Sequence, residues 1–196
     1  MKFSIIVPIH NTELYLKKCL DSIFSQSFKD FEVICILDNC TDSSKSIVQS
    51  YKDPRLSVLE TSFSKAGLAR QAGMNISEGD WFVFVDSDDY FIHPNVLKML
   101  DTYTIGEYTD IKFLNYETDS GTPAFLQDTL WSHIIRADVA KQMKFRNLDI
   151  CEDIGFLHDI QRVKQYKKLE VKDNICFYHY TYPRKGSIRY SYEHKE

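Results

Sequence analysis

Apolar runs too short for helices alternate with segments of helical spacing through the first hundred residues of the chain. Phe3–Pro8, Phe31–Leu37, Leu56–Leu59 and Trp81–Val85 predict four strands, and the near-continuous hydrophobicity of three of them is that of strands buried on both faces. Leu16, Cys19, Leu20, Ile23 and Phe24 recur at helical intervals behind Thr12, a predicted N-cap. A second helix, reaching about Tyr51, is predicted behind Thr41 or Asp42, and a third over Ala66–Ile76. Glu78-Gly79-Asp80 reads as a turn, and Pro94 as the first turn of a helix running to Leu100.

This alternation predicts an α/β fold with a mainly parallel central sheet flanked by helices on both faces. Right-handed crossovers bring the strand C-termini to one rim, where such sheets bind ligands. Pro8–Asn11, Asp38–Asp42 and Asp86–Asp89 all follow strands, so all three are expected to line one crevice. The second half is less regular. Ile111–Tyr116 and Asn174–Tyr180 are strand-like, and Thr118–Pro123 is a polar loop containing Gly121 and Pro123. Trp131–Arg136 and Ala137–Met143 are predicted helical, and Asp149–Val163 contains a helix starting near Glu152-Asp153. No repeat, low-complexity tract or linker divides the 196 residues, which suit one domain.

Net charge changes the picture in one respect. The total of −4 argues against nucleic acid as a partner. The charge is uneven, however: residues 1–160 hold 15 Lys/Arg against 24 Asp/Glu, and residues 161–196 hold 9 against 4. Arg162, Lys164, Lys167, Lys168, Lys172, Arg184, Lys185 and Arg189 make this C-terminal region a candidate for contact with phosphates or an anionic membrane surface, or simply a solvated polar face. No apolar run approaches a membrane span, and Met1–Pro8 lacks a small-residue cleavage site and reads as a strand. Cys19, Cys35, Cys40, Cys151 and Cys176 are scattered, odd in number and free of CxxC pairs, which suggests neither zinc nor a disulfide framework and fits a reducing compartment.

The candidate chemistry centres on Asp86-Ser87-Asp88-Asp89, where a buried strand ends in three carboxylates. Such anions repel one another, and a divalent cation held with a ligand's phosphates would relieve the repulsion. A capping turn built from Asp and Ser is the alternative.

With these elements in order, the chain resembles the family 2 glycosyltransferases. The resemblance rests on Ser4-Ile5-Ile6-Val7-Pro8-Ile9-His10-Asn11, on Tyr15–Ile23 with Gln26, and on Asp38-Asn39-Cys40-Thr41-Asp42, similar to the family's Asp-Gly-Ser-Thr-Asp loop. It continues through Ala69-Arg70-Gln71-Ala72-Gly73, the DxD-like Phe84–Asp89, the spaced series Trp131, Arg136, Phe145, Glu152-Asp153 and Phe156, and the tail pair Ser187-Ile188. It implies a GT-A fold in a single domain spanning 1–196, with a nucleotide-binding half (1–100) and an acceptor-side half (101–196). It also implies inverting, metal-dependent transfer from a UDP-sugar to a glycan or lipid-linked hydroxyl in bacterial surface-polysaccharide synthesis, on the cytoplasmic side.

The implied cofactor is Mn²⁺ or Mg²⁺ at Asp88 and Asp86, with Asp89 able to exchange roles with Asp88. Asp86 would alternatively hold the ribose, with Ser87 in the same turn. Asp38 would accept from uracil N3–H, Pro8 would end its strand and free backbone groups for the base, and His10 and Asn11 would lie beside the base. Arg70 would reach base or diphosphate, or form an ion pair with Asp38 or Asp86. Asp153 would be the general base, with Glu152 holding a backbone or acceptor group. Trp131 is either a sugar platform or core, and His179 either a late metal ligand or a packed side chain. The chain departs from the family pattern at Asn39-Cys40, Gln71 and Ser132-His133, the last pair on the expected acceptor side. An inactive nucleotide-sugar-binding protein is the alternative function. A sugar nucleotidyltransferase is disfavoured, because the loop after the first strand has no glycine.

Overall fold

The computed structural model describes residues 1–119, 129–148, 151–171 and 176–181. Gly121, Pro123, Asp149, Asn174, Lys172, Arg184, Lys185 and the Ser187-Ile188 pair with Arg189 lie outside the described residues.

Seven strands form the main sheet: β1 (Phe3–Ile9), β2 (Phe31–Asp38), β3 (Leu56–Thr61), β4 (Trp81–Phe84), β6 (Asp110–Phe113), β8 (His133–Arg136) and β9 (Lys168–Val171). Their order is β3-β2-β1-β4-β8-β6-β9. The first four pair in parallel, β8 pairs antiparallel with both β4 and β6, and β6 and β9 are parallel. The helices are α1 (Glu13–Phe24), α2 (Ser44–Ser50), α3 (Ala66–Ile76), α4 (Val96–Tyr103), α5 (Ala137–Ala140) and α6 (Glu152–Ile160).

Strand parity divides the core into two layers. Phe3, Ile5, Val7 and Ile9 of β1 pack with Val33, Cys35, Trp81 and Val83 against α1, α2 and α4. Ile6, Ile34, Ile36, Phe82 and Phe84 pack against α3, α5 and α6 on the opposite face. Both faces are covered, so the strands carry near-continuous apolar runs.

Three expectations need correction. β1 runs through Pro8 to Ile9, so Pro8 does not end it. Thr12 precedes α1 without a side-chain cap; its hydroxyl is used elsewhere. Trp131–Arg136 is not helical: a 3-10 turn over Leu130–Ser132 leads directly into β8. β-branched Ile134 and Ile135, buried on opposite faces between β4 and β6, favour the strand there. A second small sheet, β5 (Tyr90–Phe91), β10 (Tyr178–Tyr180) and β7 (Glu117–Thr118), is too short in every strand to show a period in the sequence.

At the opposite rim the Glu78-Gly79 turn closes tightly on β1. Glu32, buried, accepts from Ser4 Oγ and from the N–H groups of Glu78 and Gly79. A Cβ on Gly79 would lie 2.6 Å from the Ser4 nitrogen and 2.8 Å from the Phe3 carbonyl carbon, both backbone atoms that cannot swing aside. Gly79→Ala is expected to destabilise the fold by about 2 kcal/mol, within the range for overpacked sites. Urea unfolding measures this, and an unchanged midpoint contradicts the close approach.

Candidate functional site

The loops leaving β1, β2 and β4 are bonded to one another at the C-terminal rim. Thr12 donates its hydroxyl to Ser87 Oγ at 3.0 Å and its N–H to Ser44 Oγ at 3.1 Å, and all three residues are buried. The starts of α1 and α2 satisfy each other's orphan donors. Asp42 accepts from the Glu13 N–H at 2.9 Å, and Glu13 accepts from the Ser43 N–H at 2.8 Å. Asp42 also accepts from the Ser44 N–H, so it supports α2 from one residue further out than an ordinary N-cap. Asn11, at φ 52, accepts from the backbone of Thr41 and Asp42. The crevice expected from strand order is therefore one physical unit.

His10 and Asp38 occupy its β1–β2 side. His10 Nδ1 donates to the Asp38 carbonyl at 2.7 Å, which fixes the imidazole on the loop and leaves Nε2 as its other polar atom. The Asp38 side chain turns to the loop after β3. One carboxylate oxygen accepts from the Thr61 hydroxyl and the Phe63 N–H, and the other from the N–H of Lys65, which precedes α3. Asp38 is 3% exposed, and no ion pair joins it to Arg70. Asn39 adopts φ 54, a conformation asparagine tolerates where the family motif carries glycine, and its amide donates to Ser64 Oγ.

Across the crevice, Asp86–Asp89 forms a turn closed by the Asp89 N–H on the Asp86 carbonyl. The three carboxylates have different surroundings. Asp86 and Asp88 are partly exposed, whereas Asp89 is 1% exposed. Asp89 Oδ2 accepts from the Tyr178 hydroxyl and Oδ1 from the Thr181 N–H, each at 2.8 Å. Burial, then Asp88 and Asp86, push the Asp89 carboxyl well above the ordinary carboxylate range, against the opposing effect of its two donors.

Arg70 joins this turn to the second half of the chain. Its Nη2 donates to Asp86 Oδ1 and its Nη1 to Glu152 Oε1, both at 2.6 Å. Burial acts to lower the guanidinium's proton affinity, but Asp86 and Glu152 outweigh it and hold the charge in place. Glu152 was expected on a backbone or acceptor group and instead faces α3. Gly67 makes room there, since a Cβ at that position would meet Glu152 Cγ at 2.9 Å. The neighbouring Asp153 accepts from the Ile154 N–H of its own helix and, among the described residues, makes no hydrogen bond to Arg70. Burial raises the Asp153 carboxyl above its usual range; Arg70 opposes the rise, and Glu152 and Asp86 add to it.

One guanidinium thus serves three carboxylates, with Asp88 and Asp89 close by. Among the described residues, Arg70 is the cation bonded to the turn, through Asp86. Asp86 and Asp88 supply hard oxygen donors, and among the described residues no group of three His, Cys, Asp or Glu side chains could hold a metal unaided. A divalent cation here would draw its remaining ligands from phosphates and water, a donor set that suits Mg²⁺ or Mn²⁺.

Other candidates lie further from this chemistry. Trp131 stacks on Tyr178 at 4.7 Å and 4° and on Tyr180 at 5.5 Å and 20°. His179 stacks on Tyr90 and sits 3.4 Å from Asp119, a packed position. Ser132 and His133 are buried, and His133 bonds Asp110 at 2.6 Å, so neither faces outward to an acceptor. Of the basic C-terminal residues, Lys167 and Lys168 pair with Glu107 and Glu170, and Arg162 lies 4.0 Å from Asp159. No described helix is long and apolar enough to cross a membrane. The inter-loop bonds of Tyr178, Thr181, Thr12 and Ser44 were not legible in the sequence, where Thr12 reads only as an N-cap. Their partners lie 32 to 93 residues away, and no local pattern marks them.

Comparison with known proteins identifies the family and the fold. Residues 4–159 match the family model described as "Glycosyl transferase family 2". The chain is 31% identical over 167 residues to glycosyltransferase GlyA of Streptococcus pneumoniae, covering 84% of this chain and 23% of GlyA. It is 34% identical over 126 residues to the poly(ribitol-phosphate) β-N-acetylglucosaminyltransferase TarS of Staphylococcus aureus, covering 62% of this chain and 22% of TarS. It therefore spans less than a quarter of these two relatives. The crystal structure of TarS 1–349 with UDP-GlcNAc superposes with a TM-score of 0.83 at 26% identity, over 97% of this chain and 61% of that one. A Pyrobaculum calidifontis mannosyltransferase bound to GDP-Man and Mn²⁺ shares the fold at 16% identity and a TM-score of 0.77, over 94% of this chain and 58% of that one. The chain belongs to glycosyltransferase family 2 and has the GT-A fold.

Proposed function

We propose that the chain transfers a sugar, with inversion, from a UDP-sugar to a hydroxyl of a glycan or lipid-linked acceptor in bacterial surface-polysaccharide synthesis. The observation that carries this reading is Arg70 bonded at once to Asp86 and Glu152, with Asp153 beside them. It joins a diphosphate-binding turn to a free carboxylate within one charged cluster. UDP as the nucleotide is supported by the UDP-GlcNAc complex of TarS, a relative of the same fold.

The nucleotide lies over the β1–β2 side of the crevice. His10 and Asn11 flank the base, together with the backbone beyond Pro8. The Asp38 side chain holds the loop over residues 61–65 in shape, and the one acceptor site left on its Oδ2 is offered to the base. Asp88 and Asp86 would hold a divalent cation, with Ser87 fixing the turn between them; Asp89 anchors the turn from inside. When bound, that cation neutralises the charge gathering on the departing diphosphate. Arg70 keeps Asp86 oriented and adds its own positive charge at the same place. Asp153 takes the proton of the acceptor hydroxyl as that oxygen bonds to the anomeric carbon, and the carbon–phosphate oxygen bond breaks with its electron pair leaving on UDP.

Two predictions test this. Asp88→Ala should weaken metal-dependent UDP binding at least tenfold (~1.4 kcal/mol) by calorimetric titration with Mn²⁺; unchanged binding removes Asp88 from the site. Asp153→Asn should lower kcat on the order of a hundredfold or more, assayed as transfer or donor hydrolysis, while UDP affinity is kept.

Asp153 also carries a stability prediction. A carboxyl raised in the folded state binds its proton more tightly there than in the unfolded chain, so it costs the fold stability as pH rises through the ordinary carboxylate range toward the raised value. Asp153→Asn should therefore raise the thermal midpoint at pH 7, with the gain shrinking as pH falls toward about 4. A midpoint lowered at pH 7 contradicts the upward shift.

A further inference from the structure

Segment 178–181 returns from the far end of the chain and grips the aspartate turn at four points. The Tyr178 hydroxyl accepts from the Asp86 N–H at 3.0 Å and donates to Asp89 Oδ2 at 2.8 Å. The Thr181 N–H donates to Asp89 Oδ1, and the Thr181 hydroxyl donates to the Asp88 carbonyl at 2.6 Å. The first, third and fourth residues of the turn are thus all bonded to one short segment. Tyr178 is itself held rigidly: its ring lies parallel to the Trp131 indole and meets Phe91 edge-on.

From this geometry we infer that Tyr178 and Thr181 are positioning residues for the cation site, and that Trp131 supports the Tyr178 ring. The inference rests on the reading of Asp86 and Asp88 as cation ligands and goes beyond it. Two adjacent carboxylates repel each other in the absence of a cation and tend to splay the turn. Fixing the Asp86 N–H, the Asp88 carbonyl and the Asp89 side chain leaves the two ligand side chains little freedom to separate. The turn is then set before the cation arrives, and no ordering cost falls on binding. The same geometry gives Asp89 its use as an internal anchor, both of whose oxygens are already engaged. It also gives Trp131 a role other than a sugar platform, since Tyr178 and Tyr180 already lie stacked on its ring.

The test is a Mn²⁺ titration in the presence of UDP, alongside UDP binding without metal, for the wild-type chain, Tyr178→Phe and Thr181→Val. Thermal unfolding of each reports whether the fold is intact. Tyr178→Phe keeps the ring and removes only the hydroxyl. We expect about a tenfold loss of apparent Mn²⁺ affinity in Tyr178→Phe and a smaller loss in Thr181→Val. Metal-free UDP binding should stay within about twofold, and saturating Mn²⁺ should restore UDP affinity. A merely structural role would lower metal-free binding and thermal midpoint together, with no rescue by Mn²⁺, and would overturn the inference. Mn²⁺ affinity unchanged in both variants would also overturn it. If Tyr178→Phe does not fold, Thr181→Val decides alone. Absence of Mn²⁺-dependent UDP binding in the wild type would instead overturn the cation site itself.

Discussion

The site depends on one buried guanidinium shared between two segments that are distant in sequence. Arg70 has a side chain only 9% exposed and is bonded to Asp86 after β4 and to Glu152 at the start of α6. Such bridges contribute little net stability, because desolvation cancels most of the attraction, yet removing one partner is costly since it leaves a buried charge uncompensated. The bridge is better understood as a device for register. It holds the N-terminus of α6 against the turn after β4, so Asp153 stands beside that turn and not elsewhere on the surface. Gly67 belongs to the same constraint, because a side chain there would push Glu152 away.

Around this bridge the rim is organised by short polar bonds between loops. Thr12, Ser44 and Ser87 form a buried hydroxyl chain across three loops, and Asp42 and Glu13 cap each other's helices. Among the described residues, the four non-glycine positions with positive φ, Asn11, Asn39, Ser64 and Cys151, all lie in loops of this region or directly before α6. Each costs of the order of 1 kcal/mol. That concentration of strain at one rim, above a core of ordinary two-layer packing, is the pattern expected where loops are shaped for a ligand.

Legibility in the sequence followed burial. β1, β2 and β4 were plain because burial on both faces makes the whole strand apolar, and α3 was read to the residue because its apolar spacing is regular. β8 was misread because a four-residue strand next to a short helix offers too little periodicity to tell the two apart. Of the second small sheet only β10 was legible, within the strand-like run ending at Tyr180; β5 and β7, two residues each, are too short to show a period. Within the aspartate turn, the sequence could not separate Asp88 from Asp89. Burial of Asp89 is decided by Tyr178, 89 residues later, and by Thr181 beyond it. Pairing of Arg70 with Asp86 was one of two ion pairs the sequence left open, beside a ligand contact; its second partner, Glu152, was not among them, because nothing local sets the approach of α6 to α3.

The central claim is that carboxylates from the turn after β4 gather a cation and a diphosphate beside Asp153. Its most direct test is a crystal structure with UDP and Mn²⁺, with the metal located by anomalous scattering. The account predicts a single strong peak against the Asp88 and Asp86 carboxylates, bridged to both phosphates, with the uracil over the His10–Asn11 side of the crevice. A peak elsewhere, or UDP bound away from the rim where Thr12 meets Ser87, would contradict it.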